Sequence, residues 1–144
     1  MIIRRTTQED LPGILELVKE FHVEHIDKYD IFCNEDVLNN AMPGMVETSM
    51  VLEVDGKVRG VMAGIITHHI QDDSKVFQEI IWFVTKAYRK YGIRLLRDME
   101  TLVKELGCKS MVMVTLGDEM FDKLDKLYRK IGYKYLETQY TKTL

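Results

Sequence analysis

Two apolar runs rich in β-branched residues, Met50 to Val54 and Val58 to Thr67, flank the dipeptide Asp55-Gly56. That dipeptide supplies the positive φ angles of a tight turn, so the segment predicts a β-hairpin. Gln71-Asp72-Asp73-Ser74 makes a second turn, and Val76 to Val84 reads as a third strand of an antiparallel meander. From Gly92 the period changes: Leu95, Leu96, Met99, Leu102, Val103 and Leu106 recur at helical spacing until Gly107 stops them. Ser110 to Thr115 returns to strand character. A helix joining the strand that ends at Val84 to the one that begins at Ser110 makes those strands parallel neighbours in a β-α-β crossover.

The flanks complete the order. Ile2 to Arg5 is a short β-prone run, and Thr7-Gln8-Glu9-Asp10 carries the cap signal of a helix whose apolar stripe, Leu11, Ile14, Val18 and Phe21, runs to about His25. A second helix follows Asn34 through Val37, Leu38, Ala41 and Met42, and Pro43-Gly44 is expected to end it. Asp118 to Ile131 forms another amphipathic helix, closed by Gly132, and Tyr133 to Lys142 reads as a last strand. The 144 residues, 46% hydrophobic and 30% charged, suffice for one core. With two prolines, nine glycines and no linker-like stretch, one domain is expected to span residues 1–144.

Composition narrows the function classes. Lys plus Arg total 20 against 23 Asp plus Glu, so a net charge of -3 gives no overall attraction for nucleic acid. Cys33 and Cys108 lack metal-ligand or disulfide-framework spacing, which suits a reducing cytoplasm. No apolar run reaches the roughly 18 residues of a membrane span, and Met1-Ile2-Ile3-Arg4-Arg5 leads into a helix signal rather than a secretory leader. His22-Val23-Glu24-His25 invites a metal reading, but on a helix Glu24 leaves the face shared by the two histidines, and no metal is expected.

Three segments carry a family resemblance. The opening Ile3-Arg4-Arg5-Thr6-Thr7-Gln8-Glu9-Asp10-Leu11-Pro12, the central Val84-Thr85-Lys86-Ala87-Tyr88-Arg89, and Leu127-Tyr128-Arg129-Lys130-Ile131-Gly132-Tyr133 resemble, in that order, the start, the V-x-P-x-x-R segment and the F-Y-E-K-x-G-F motif of the GNAT acyltransferase superfamily. The resemblance implies an α/β fold with a mixed, mostly antiparallel sheet, about four flanking helices and a parallel splay between the fourth and fifth strands. Glu79 to Val84 and the ending Glu137 to Lys142 are similar to a variant common in bacteriophage genomes, which would put the protein in the host cytoplasm.

One departure concerns the coenzyme A pyrophosphate loop. If Arg89 opens the family's Q/R-x-x-G-x-G/A loop, Arg94 replaces its final small residue. If Leu95-Leu96 is instead the apolar pair of the following helix, Gly92 is the last glycine and the loop is two residues short. Helix length favours the second alignment. Either way the segment Arg89, Lys90, Tyr91, Gly92, Ile93, Arg94 is the candidate phosphate grip, because a helix N-terminus offers unpaired N–H groups and partial positive charge. Spacing alone favours a turn bearing solvated cations; the resemblance reverses that preference. By position, Phe83 and Val84 inherit the family's main-chain contacts to the pantetheine arm.

The chemistry implied is acetyl transfer from acetyl-CoA to a primary amine, whether of a small molecule, a peptide N-terminus or a lysine. The amine must lose a proton before attack, and the departing thiolate must gain one. Tyr128 stands where the family has the tyrosine that protonates sulfur, and a tyrosine, with a reference pKa near ~10, can donate at neutral pH. Glu79 is the candidate base, although counting back from Val84 puts Gln78 in the register often used for it; His68, His69 or a water chain are alternatives. Phe21, His22, Tyr29 and Phe32 are expected on the acceptor side. The competing readings are a GNAT-fold binding or regulatory protein acting through a protein partner and, last, a binder using the Lys86 to Arg94 patch. Tyr133 to Lys142 is the edge through which a homodimer would pair.

Overall fold

The computed structural model describes residues 1–144. Asp55 (φ 52°) and Gly56 (φ 72°) adopt the two left-handed conformations that a two-residue hairpin turn demands, joining β2 (Ser49–Val54) to β3 (Lys57–His68). β3 turns back into β4 (Lys75–Val84), and β1 (Ile2–Arg5) pairs antiparallel with β2 on the other side. α3 (Gly92–Glu105) then crosses over to β5 (Ser110–Val112), which lies parallel to β4. The result is one five-stranded sheet in the order β1-β2-β3-β4-β5.

Period-two alternation divides the strands between two core layers. On one face Val51, Val61, Ile81 and Phe83 meet Ile14 and Leu17 of α1 (Leu11–Phe21). On the other Leu52, Met62, Phe77 and Val84 meet Leu95, Leu96, Met99 and Leu102 of α3. Leu95 and Leu96 are completely buried, and burial on this scale contributes roughly 1.5–3 kcal/mol per side chain. α4 (Phe121–Lys130) covers the same face and buries a single residue, Tyr128. The Arg4 guanidinium grips both Asp10 oxygens (2.7 and 2.8 Å) and also reaches Glu53 (2.7 Å), tying β1 to the entry of α1 and to β2. That guanidinium holds the Asp10 carboxyl below its usual range.

The structure corrects three expectations. α2 (Glu35–Ala41), capped by the Asn34 side chain, ends just before Pro43 as expected, but Met42 leaves it for the 3₁₀ turn Met42–Thr48 that follows, a form proline tolerates near a helix start, and of the expected apolar stripe only Met42 is buried. β5 ends at Val112, short of Thr115. Tyr133 to Lys142 forms no strand. Its alternating pattern suits one, but β5 is three residues long and offers too short an edge, so Tyr135, Leu136 and Tyr140 stay exposed. The edge expected to pair two copies is therefore not formed.

Candidate active site

The site begins with a break in register. Ala63 pairs with Ile81, but Gly64 pairs with Glu79, leaving Ile80 as an extra, exposed residue of β4. The bulge reverses the parity of the strand below it. Plain alternation from Val84 would bring Gln78 to the α3 side; with the bulge, Phe77 packs into the core beside Val84 and Glu79 follows it to that face. Gly64 is the residue that permits this close approach: a Cβ there would lie 2.3 Å from the Gln78 carbonyl oxygen and 2.4 Å from the Phe77 ring.

Just past the bulge the sheet opens. The parallel ladder runs Val76 to Ser110, Phe77 to Met111 and Gln78 to Val112, then stops. Beyond it, side chains replace strand partners: the Val114 N–H donates to Glu79 Oε2 at 3.1 Å, and the Tyr128 hydroxyl donates to the Val114 carbonyl at 3.0 Å. Glu79 is only 6% exposed, and burial pushes its carboxyl up to about 7 against the pull of the Val114 N–H. Burial, then the nearby Glu79 and Tyr133, drive the Tyr128 hydroxyl well above the ordinary tyrosine range, so it keeps its proton at neutral pH. Its ring lies 6.1 Å from Trp82 and 5.6 Å from Tyr133. The Tyr-x-x-x-Gly-Tyr spacing has a local cause: α4 ends with Tyr133 N–H on the Tyr128 carbonyl (2.9 Å) and Gly132 N–H on that of Arg129, a Schellman turn that folds Tyr133 back against Tyr128.

The expected phosphate grip takes a different form. Lys86–Tyr91 is a 3₁₀ turn that winds directly into α3, and Gly92 has helical dihedrals (φ -58°), its N–H bonded to the Arg89 carbonyl. Leu95 and Leu96 occupy core positions while Arg94 is exposed, as the alignment with Gly92 as last glycine requires. Lys90 lies over the Tyr91 ring and Ile93 is exposed. Arg89 turns away from the helix end: its Nε donates to the Val84 carbonyl (3.2 Å) and its Nη2 to Glu24 (2.5 Å), with the cation 5.9 Å from the Phe83 ring. Phe83 itself faces α1 and meets Phe21 edge-on at 5.7 Å.

On that α1 face the helix changes pitch. His22–Ile26 forms a π-helical turn, and from it His25 Nδ1 reaches Asp118 at 3.2 Å. Sequence reasoning missed Asp118, which lies far along the chain in the segment leading into α4; only its place as a cap before Phe121 hinted at a role. His22 pairs loosely with Asp27 (3.8 Å), and no three His, Cys, Asp or Glu side chains gather as a metal would need. His68 and His69 sit at the closed end of β4 with Asp73 and Asp72, away from the splay.

Known proteins share this architecture. AAC(6')-Iy, solved with the bisubstrate analogue CoA-S-monomethyl-acetylneamine, superposes with a TM-score of 0.75 at 18% identity, covering 99% of this chain and 97% of that one. Glucosamine-6-phosphate N-acetyltransferase from Arabidopsis thaliana gives 0.71 at 15% identity, covering 99% and 97%. An acetyltransferase from Trypanosoma brucei gives 0.72 at 20% identity, covering 99% and 99%. At these identities the likeness is one of fold. No curated protein sequence matches the chain. Residues 11–133 match the sequence family described as the acetyltransferase (GNAT) family, and with sheet, splay and motifs in agreement, the chain belongs to that family.

Proposed function

We propose that the protein is an N-acetyltransferase that moves the acetyl group of acetyl-CoA to a primary amine. The observation that carries this reading is the open wedge past Gln78 and Val112, with Tyr128 at its wall on the face where α3 and α4 meet the sheet. β4 main chain from Glu79 to Val84 has no β5 partner there, which fits the amide-rich pantetheine arm of the donor. Phe83 and Val84 would line that arm, and Arg89, Lys90, Tyr91, Gly92, Ile93 and Arg94 would face the phosphates once Arg89 leaves the Val84 carbonyl. Acetyl-CoA supplies the acetyl group as a thioester.

In this mechanism a main-chain N–H near Val84 polarises the thioester carbonyl as the amine nitrogen bonds to its carbon. The C–S bond then breaks, and Tyr128 gives its hydroxyl proton to the departing sulfur. Glu79, held near neutrality by burial, takes the surplus proton of the new amide nitrogen and returns one to Tyr128, so the net transfer is nitrogen to sulfur. Amino sugars and aminoglycosides, the kinds of molecule named for two of the similar structures, are the acceptors to screen first.

Acetyl-CoA titration followed by Trp82 fluorescence, then release of coenzyme A thiol with an amine panel, tests the reading. Saturable binding with amine-dependent release is expected. Arg89 seated on Val84 and Glu24 favours the second reading, a GNAT-fold module with weakened coenzyme binding that acts through a protein partner. Absence of binding at millimolar acetyl-CoA would select it.

A further inference from the structure

We infer that His25, oriented by Asp118, is the group that takes the proton from the acceptor's ammonium before attack; the inference rests on the acetyl-transfer reading above. Three independent features converge on it. The first is the π-helical turn His22–Ile26, an irregularity at the end of α1 that carries His25. Such turns cost hydrogen-bond geometry and recur at functional sites.

The second feature is the way the ring is held. Asp118 has a side chain only 3% exposed, and its Oδ1 accepts the Met120 N–H at 2.9 Å, so its position is fixed before His25 is considered. Its Oδ2 lies 3.2 Å from His25 Nδ1. A carboxylate oxygen accepts, so Nδ1 carries the hydrogen and the lone pair is left on Nε2. Nε2 has no hydrogen-bond partner; Glu24 Oε2 stands 3.5 Å away and is already committed to Arg89. The third feature is location. The ring lies against Phe83 (6.4 Å between centroids) and Phe21 (5.4 Å), on the opposite side of β4 from Tyr128. A base on one side of the wedge and an acid on the other is the arrangement that lets an amine enter opposite the leaving sulfur.

The charged groups around the ring are few. Glu24 and, behind it, Glu20 come from α1 and its extension; burial and the charge of Glu24 raise the Glu20 carboxyl, against Arg89 and Arg59. Lys28 approaches Asp118 at 3.8 Å, and β4 contributes only Phe83. In the step itself an N–H bond of the ammonium breaks, the proton goes to Nε2, and the freed electron pair forms the bond to the thioester carbon. The imidazolium, steadied by Asp118, later releases that proton to water.

The test is the pH dependence of kcat/KM for the wild type, His25→Gln and Asp118→Asn with one amine. His25→Gln should lose about a hundredfold or more at neutral pH and lose the acid limb of the profile, while acetyl-CoA binding by Trp82 fluorescence is unchanged. Asp118→Asn should move that limb and lower kcat more than it alters the KM for acetyl-CoA. Nitrogen-15 imidazole shifts should report the Nδ1–H tautomer of His25 in the wild type. A wild type that transfers acetyl groups while His25→Gln keeps the acid limb, or an Nε2–H tautomer, overturns the role of His25 alone. A wild type that transfers to no amine overturns both readings.

Discussion

Glu79 and Tyr128 hold the two polar groups of one residue: the carboxylate accepts the Val114 N–H at 3.1 Å and the hydroxyl donates to the Val114 carbonyl at 3.0 Å. The pair does with side chains what a strand partner would do with main chain, and so satisfies the backbone where the sheet opens.

The ionisation of Glu79 should be visible in stability. Its carboxyl is raised from 4.5 to about 7 in the fold, so between these values the unfolded chain binds fewer protons than the native one. Stability therefore falls as pH rises through this window, by roughly 3 kcal/mol at most. Glu79→Gln keeps an acceptor for Val114 and removes the charge; thermal melts at pH 5 and 8 should show a smaller drop for the variant than for the wild type.

Tyr128→Phe leaves the Val114 carbonyl unpaired in a buried setting, which costs about 1–3 kcal/mol. If Tyr128 is the acid, turnover should fall by a further, separable factor of about a hundred or more while the affinity for acetyl-CoA holds. Denaturant unfolding and steady-state kinetics on the same preparation distinguish the two losses.

The Arg89–Glu24 pair, about 42% and 34% exposed, keeps Arg89 on the Val84 carbonyl. An exposed pair is worth at most about 1 kcal/mol. Glu24→Gln should release Arg89 toward the helix end and tighten acetyl-CoA binding up to about fivefold, as read by titration at low salt.

At Gly64 a Cβ would meet the Gln78 carbonyl oxygen at 2.3 Å. Gly64→Ala should cost about 1–3 kcal/mol or more, because main chain cannot yield as a flexible side chain does. A fall in melting temperature with Glu79 no longer protonating near neutrality would show that the bulge moved with it.

The sequence makes local features plain where one short stretch contains the whole cause. Asp55-Gly56 specifies its turn by itself, and the Leu95 to Leu106 stripe specifies α3. Features that depend on a partner are hidden. Tyr133 to Lys142 has a strand's pattern but no neighbouring edge of useful length. Gly64 inside an apolar strand hints at a bulge, yet nothing in β4 alone says that Ile80 is the residue displaced. Tyr128 was legible through its motif, whereas the meeting of His25 with Asp118 joins positions 93 apart and shows no periodic signature.

The displaced Ile80 gives β4 two hydrophobic phases, one on each side of a single residue. Deleting that residue would restore plain alternation and leave every other side chain of the strand on its present face, whereas flattening the bulge with Ile80 kept in register would invert the half below it. Gln78 would turn toward Tyr128, Glu79 would cross to the α1 layer, and Phe77 would lose its seat beneath α3. Losing the bulge without losing the residue is thus an exchange of chemistry between the two sides of the sheet, and an unbulged relative matched here without a gap would be compared on letters whose side chains face opposite ways.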